Sequence, residues 1–202
     1  MKENRLGRIQ PRIAVLLALW GLALVATGAH VALGAQNPSG GNTVEIRGGH
    51  ETDPRDMGRP VVLVANGLGV QPEVFREAFS HVHPAPGGEA PDPEQVHRNK
   101  DALLSALGRY GITNEGLDLV SNYYRYQPQR GELWTHRDAK VVAEMSHGKV
   151  TGFRIVDAGA GYSSAPQITV PGHPEAKAQV TIGFSRDLRK NGAITAVKLV
   201  TR

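Results

Sequence analysis

Gly148 to Pro171 reads GKVTGFRIVDAGAGYSSAPQITVP, and part of its pattern recurs further along the chain. Gly148-Lys149-Val150-Thr151-Gly152-Phe153-Arg154-Ile155-Val156, set above Gly192-Ala193-Ile194-Thr195-Ala196-Val197-Lys198-Leu199-Val200, agrees with it in chemical type at most positions. A second matching run precedes each copy, Ala139-Lys140-Val141-Val142-Ala143 against Ala178-Gln179-Val180-Thr181-Ile182. Paired runs rich in β-branched residues and bounded by glycine read as a repeated β-hairpin. The first turn falls around Ser146-His147-Gly148, and the second is longer by the polar stretch Arg186 to Lys190. Val150, Phe153 and Ile155 do not alternate strictly, so composition and bounding glycines, rather than period, decide strand over helix.

Between the hairpins lies Asp157-Ala158-Gly159-Ala160-Gly161-Tyr162-Ser163-Ser164-Ala165-Pro166, then a short predicted strand from Gln167 to Val170. Gly159 and Gly161 suit positive φ or close backbone approach, Tyr162 suits an amphipathic plug, and Pro166 opens an extended run. These residues resemble the G-x-G-Y-x-x-x-P-x-[IV] repeat of bacterial surface and phage-tail-associated β-rich proteins. The resemblance covers Ala139 to the end and implies a β-module for display or attachment, with no catalytic residues.

The N-terminus is laid out as a secretory leader: Lys2, Arg5, Arg8 and Arg12, an apolar run from Ile13 to Ala26, then small residues up to Ala35. Residues 1–35 are therefore expected to be a signal peptide or, if uncleaved, an inner-membrane anchor spanning 13–35 with its N-terminus in the cytoplasm. Either way the remainder is expected outside the cytoplasm, in the periplasm, at the cell surface or beyond it. The leader's four basic residues less Glu3 supply +3 of the formal +4, so the rest of the chain is close to neutral. It lacks the basic field that non-specific nucleic-acid binding needs. No cysteine is present, so neither a disulfide framework nor a lipidated cysteine is available.

Residues 36–57 are polar and turn-rich, with Pro38, Gly40, Gly41, Gly48 and Gly49, and read as a flexible linker. Pro60-Val61-Val62-Leu63-Val64-Ala65-Asn66-Gly67-Leu68-Gly69 is similar to the oxyanion-hole strand of α/β-hydrolases. No nucleophile elbow follows, because Glu144-Met145-Ser146-His147-Gly148 lacks the first glycine of G-x-S-x-G. The stretch is read instead as a short buried helix opened by Pro60. A second helix follows Gln71, apolar at Val74, Phe75, Ala78 and Phe79. His81 to Pro93 reads as a surface loop; Asp92 with Gln95 then starts a third helix lined by Val96, Leu103, Leu104 and Leu107. Thr113 caps a fourth, running to about Tyr126 and apolar at Leu117, Val120 and Tyr124, and the last two are expected to form an αα-hairpin. The fold class is α+β: a helical subdomain over 58–130, about four short helices, and an antiparallel β-module of about five strands over 138–202. The helical half is similar to that of exported bacterial proteins of unknown function.

Two groups of residues carry candidate chemistry. His81 and His83, with His50 and the acidic Glu51, Asp53 and Asp56, supply zinc-ligand types should loop and linker meet. Tyr123, Tyr124, Arg125 and Tyr126, with Trp134 and Tyr162, concentrate the aromatics of an aromatic-poor chain. They read either as staples between the helices and the β-module or as a stacking platform for a sugar or peptide. The expected function is a non-catalytic exported envelope or surface module that binds a glycan or an envelope protein and needs no cofactor. The alternative is a zinc-dependent exported hydrolase or metal-binding protein using His81 and His83.

Overall fold

The computed structural model describes residues 43–83, 92–126 and 131–200, and the expected leader or anchor lies outside them. The described residues fall within one compact unit of mixed α+β architecture, with four helices and six short antiparallel strands. None of those helices is long and apolar enough to cross a membrane.

Four helices make the first layer: α1 (Val61–Leu68), α2 (Pro72–Ser80), α3 (Pro93–Leu107) and α4 (Asn114–Tyr123). α1 is helical although its valines favour strands, because its ends and its burial outweigh propensity. Gly69 closes it at φ 76°, its amide donating to the carbonyls of Ala65 and Asn66, while Val61, Leu63, Val64, Ala65 and Leu68 are all buried. α2 buries Phe75 and Ala78 against it. α3 starts as expected, the Asp92 carboxylate accepting from the Gln95 amide at 2.7 Å. The Gln95 side chain does not close the capping box; it donates to the His83 carbonyl. Val96, expected on the apolar face of α3, is 47% exposed, so that face begins only at Leu103. Thr113 caps α4 through the Gly116 amide, and the helix ends at Tyr123.

The expected αα-hairpin is corrected by the packing. Lys100 pairs with Asp118 at 2.8 Å across α3 and α4, but the main neighbour of α3 is α2 and that of α4 is α1. The 3-10 turn at Gly108–Tyr110 and Gly111 at φ 76° separate the two helices.

The β-layer holds three antiparallel pairs: β1 (Glu45–Arg47) with β4 (Gln167–Thr169), β2 (Lys140–Ser146) with β3 (Lys149–Asp157), and β5 (Lys177–Gly183) with β6 (Ala193–Val200). Both expected hairpins form. The sixth strand, β1, comes from the expected linker, so 43–57 is not a structureless tether. Thr43 bridges Val142 of β2, β3 packs on β6, and β4 packs on β5, so the pairs follow one another around a small closed ring.

The repeat is real but its expected alignment slips. Ala143 stands opposite Phe153 as Val180 stands opposite Val197, so Ala143 corresponds to Val180 and not to Ile182. A slip of two residues keeps every side chain on its face, which is why the sequence pattern tolerates both alignments. Both hairpins skip a residue of the second strand at the same repeat position, Thr151 in the first and Thr195 in the second, and the first also skips Val156. The two threonine hydroxyls donate to Glu144 and Thr181 carbonyls at 3.1 and 3.2 Å, stitching both bulges alike.

Gly159 to Tyr162 is threaded between other segments. Arg137 and Ala160 exchange two backbone hydrogen bonds of 2.9 Å, while the Gly161 and Tyr162 amides donate to Asn191 and Gly192. A Cβ at Gly159 would stand 2.6 Å from the Arg137 carbonyl, and one at Gly161 2.8 Å from His136 Cα, at φ values of 65° and 85°. Both expected reasons for glycine hold at once.

Candidate functional site

The aromatic cluster is framework. Trp134 is 2% exposed and its indole N–H donates to the Gly161 carbonyl at 2.8 Å. Tyr162 is buried and its hydroxyl accepts from the Ala139 amide at 3.0 Å. Tyr124 is buried, with Tyr123 packed edge-on against it, and Tyr126 donates to the Gly58 carbonyl while meeting Trp134 edge-to-face. Arg125 points to solvent. Tyr124, Trp134 and Tyr162 are buried, so they act as staples rather than as a stacking platform, although Tyr162 also lines the cleft beside His50.

The expected zinc residues are dispersed. His81 is exposed and faces Glu77 at 3.8 Å on α2. His83 is held by its backbone, its amide donating to the Asn99 side chain at 2.9 Å. Asp56 is buried in a two-bond pair with Arg76 at 2.6 and 2.9 Å, and Asp53 pairs with Arg55 at 2.6 Å. Arg55 hydrogen bonds hold the Asp53 carboxyl well below the usual range. Among the described residues, no group of three or more His, Cys, Asp or Glu is arranged to hold a metal ion.

His50 instead joins a site that sequence reasoning missed. The expected linker folds Gly48 and Gly49 at φ 71° and 88°, which turns the chain from β1 onto the Tyr162-Ser163-Ser164 segment. The Gly49 carbonyl accepts from the Ser163 and Ser164 amides at 2.9 and 3.2 Å, and a Cβ on Gly49 would meet the Tyr162 ring at 2.6 Å. Glu51 completes the clasp: its carbonyl accepts from the Ser163 hydroxyl at 2.7 Å, and its carboxylate accepts from the Ser164 hydroxyl. The Ser164 bond is the main reason the Glu51 carboxyl sits below its ordinary pKa.

This turn lays His50 on Tyr162, ring centroids 5.2 Å apart, with the His136 ring 4.8 Å away and tilted 65°. His50 Nε2 is buried and has no hydrogen-bond partner. Burial first, then the neighbouring His136, lowers the His50 pKa. The pair opens on a cleft of about 840 Å³ whose walls include Val44, Ile46 and Leu133, with Asp138, Lys140 and Arg154 adding charge. The pairing of β1 with β4 and the Thr43–Val142 bridge position one wall, and the Arg137–Ala160 bridge positions His136 and Asp138. Gly48-Gly49 directly before His50 was the available signal; His136, Asp138 and Arg154 carried none, because only the ring of strands brings them to His50.

No protein-family profile, curated protein or solved structure matches the chain.

Proposed function

We propose that the chain is an exported, non-catalytic binding module of the cell envelope or surface, and that it takes its ligand in the cleft beside His50. The observation that carries this reading is the cleft, about 840 Å³ in volume and built on strand edges. That is within the usual size range of small-molecule sites, which combine apolar walls with a few placed polar groups. The cleft combines the aliphatic Val44, Ile46, Leu133 and Val141 with Lys140, Arg154, Asp138 and two imidazoles. Its lining has the parts for holding a ligand. Export rests on the leader pattern of residues 1–35.

The test is native mass spectrometry of the full-length protein from its own host against its denatured mass. A retained small ligand is expected, lost from a Lys140→Glu, Arg154→Glu double variant that melts at the unchanged temperature. A ligand retained by that variant, or a bare wild-type chain, would overturn the assignment of the cleft. The denatured mass also shows whether the leader is removed.

A further inference from the structure

The ring nitrogens of His50 and His136 define a specific chemistry. His136 Nδ1 lies 2.9 Å from the Trp134 carbonyl oxygen. A carbonyl only accepts, so Nδ1 carries a proton and Nε2 is the ring nitrogen that can offer a lone pair. His50 Nε2 is buried without a hydrogen-bond partner, on a ring 4.8 Å from that of His136. The His136 tautomer is thus set by a main-chain oxygen, an arrangement that orients metal-ligating histidines. The two Nε2 atoms, with the Asp138 carboxylate on the same cleft, make a donor set suited to a cation rather than to a hydrogen-bond acceptor.

Distance narrows the ligand further. With metal–nitrogen bonds of about 2.0–2.1 Å, two imidazoles sharing one ion at angles of about 90–110° place their ring centroids about 4.5–5.2 Å apart. The centroids here are 4.8 Å apart, and the rings are tilted by 65° rather than stacked. We propose that His50 and His136 form a two-imidazole coordination site for a borderline divalent transition-metal ion, Zn²⁺, Ni²⁺ or Cu²⁺, open to the cleft. Imidazole suits these ions and disfavours Mg²⁺ or Ca²⁺. Two protein ligands leave positions for water or for a donor atom of a bound molecule, and Asp138 lines the same cleft. The inference rests on the cleft being the ligand site, and it differs from the expected zinc set by replacing His81 and His83 with His136.

The experiment is calorimetric titration of metal-stripped full-length protein with Zn²⁺ and Ni²⁺, with Cu²⁺ followed by electron paramagnetic resonance. One ion per chain is expected, with nitrogen hyperfine structure from two imidazoles. His50→Gln and His136→Gln should each weaken binding at least tenfold, Asp138→Asn less, and a His81→Ala, His83→Ala double variant not at all. Circular dichroism and melting of each variant separate lost coordination from lost fold. Should a His50 variant unfold, His136→Gln decides, since His136 is exposed and a glutamine keeps a donor for the Trp134 carbonyl. Undiminished one-to-one binding in folded His136→Gln, or no stoichiometric binding by wild type, overturns the metal site. If the protein then still retains an organic ligand from its host, the cleft reading stands without the metal; if it retains neither, both fall.

Discussion

The two hairpins share strand pairing and bulge but not their turns. In the first, β2 and β3 are joined tightly at His147 and Gly148, both with positive φ (49° and 74°), and a Cβ on Gly148 would touch nothing. That is the geometry a two-residue hairpin turn favours. In the second, Phe184 to Gly192 reaches back into the helical layer. Asn191 is fully buried there, donating to the Leu63 carbonyl at 2.7 Å and the Tyr124 hydroxyl at 2.9 Å, while its own carbonyl accepts from the Ser185 amide at 3.1 Å. Leu188 packs on the same core. One copy of the repeat thus ends in water and the other is the joint between layers, and a single extended turn makes the difference.

The largest effect should come from breaking that joint. Asn191→Leu leaves the Leu63 carbonyl and the Ser185 amide without their partner, and we expect a loss of about 3–4 kcal/mol. Urea denaturation measures it, with His147→Asn in the first turn as the comparison, expected within about 0.5 kcal/mol of wild type because asparagine tolerates positive φ. Equal losses at the two turns would remove the distinction between them. Gly161→Ala should follow at about 2–4 kcal/mol, since the new methyl meets His136 in an already unfavourable backbone conformation. Gly148→Ala carries the backbone cost alone, about 1–2 kcal/mol.

What the copies share offers a sharper test. Thr151→Val and Thr195→Val each remove one hydroxyl donor from an exposed bulge and should cost about 0.5–1 kcal/mol. The two losses should agree closely in the same urea titration. A clear disagreement would mean that the bulges are not equivalent parts of one repeat.

The legibility of the chain follows the same division. Strand runs, caps such as Asp92 and Thr113, and the paired reasons for Gly159 and Gly161 are local, and local pattern carries them. The alignment slip between Ala143 and Val180 was invisible because a shift of two preserves facing. The cleft was not legible, because His50, His136 and Arg154 meet only when β1 crosses from before the helices to pair with β4 after them. Asn191 directly follows the polar stretch Arg186 to Lys190, and nothing adjacent in sequence marks the Leu63 carbonyl that it serves.

The smallest expected effect also probes the joint. Burial pushes the Tyr124 phenol up from 10 to about 12, partly opposed by the hydrogen bond that Asn191 donates to it. The folded chain therefore holds this proton where the unfolded chain has released it. The corresponding stability is full below pH 10 and is lost as pH rises from there through about 12. Tyr162 and Tyr126 are raised by burial as well, so Tyr124→Phe should make the alkaline fall shallower without abolishing it. Urea midpoints taken from neutral pH to 12, with phenolate absorbance recorded alongside, measure both. Overlapping alkaline limbs for wild type and Tyr124→Phe would show that the phenol is not enclosed at the joint. The second loop would then sit on the helices through Asn191 and Leu188 without a dry contact at Tyr124, and the contrast between the two turns would be narrower than the packing implies.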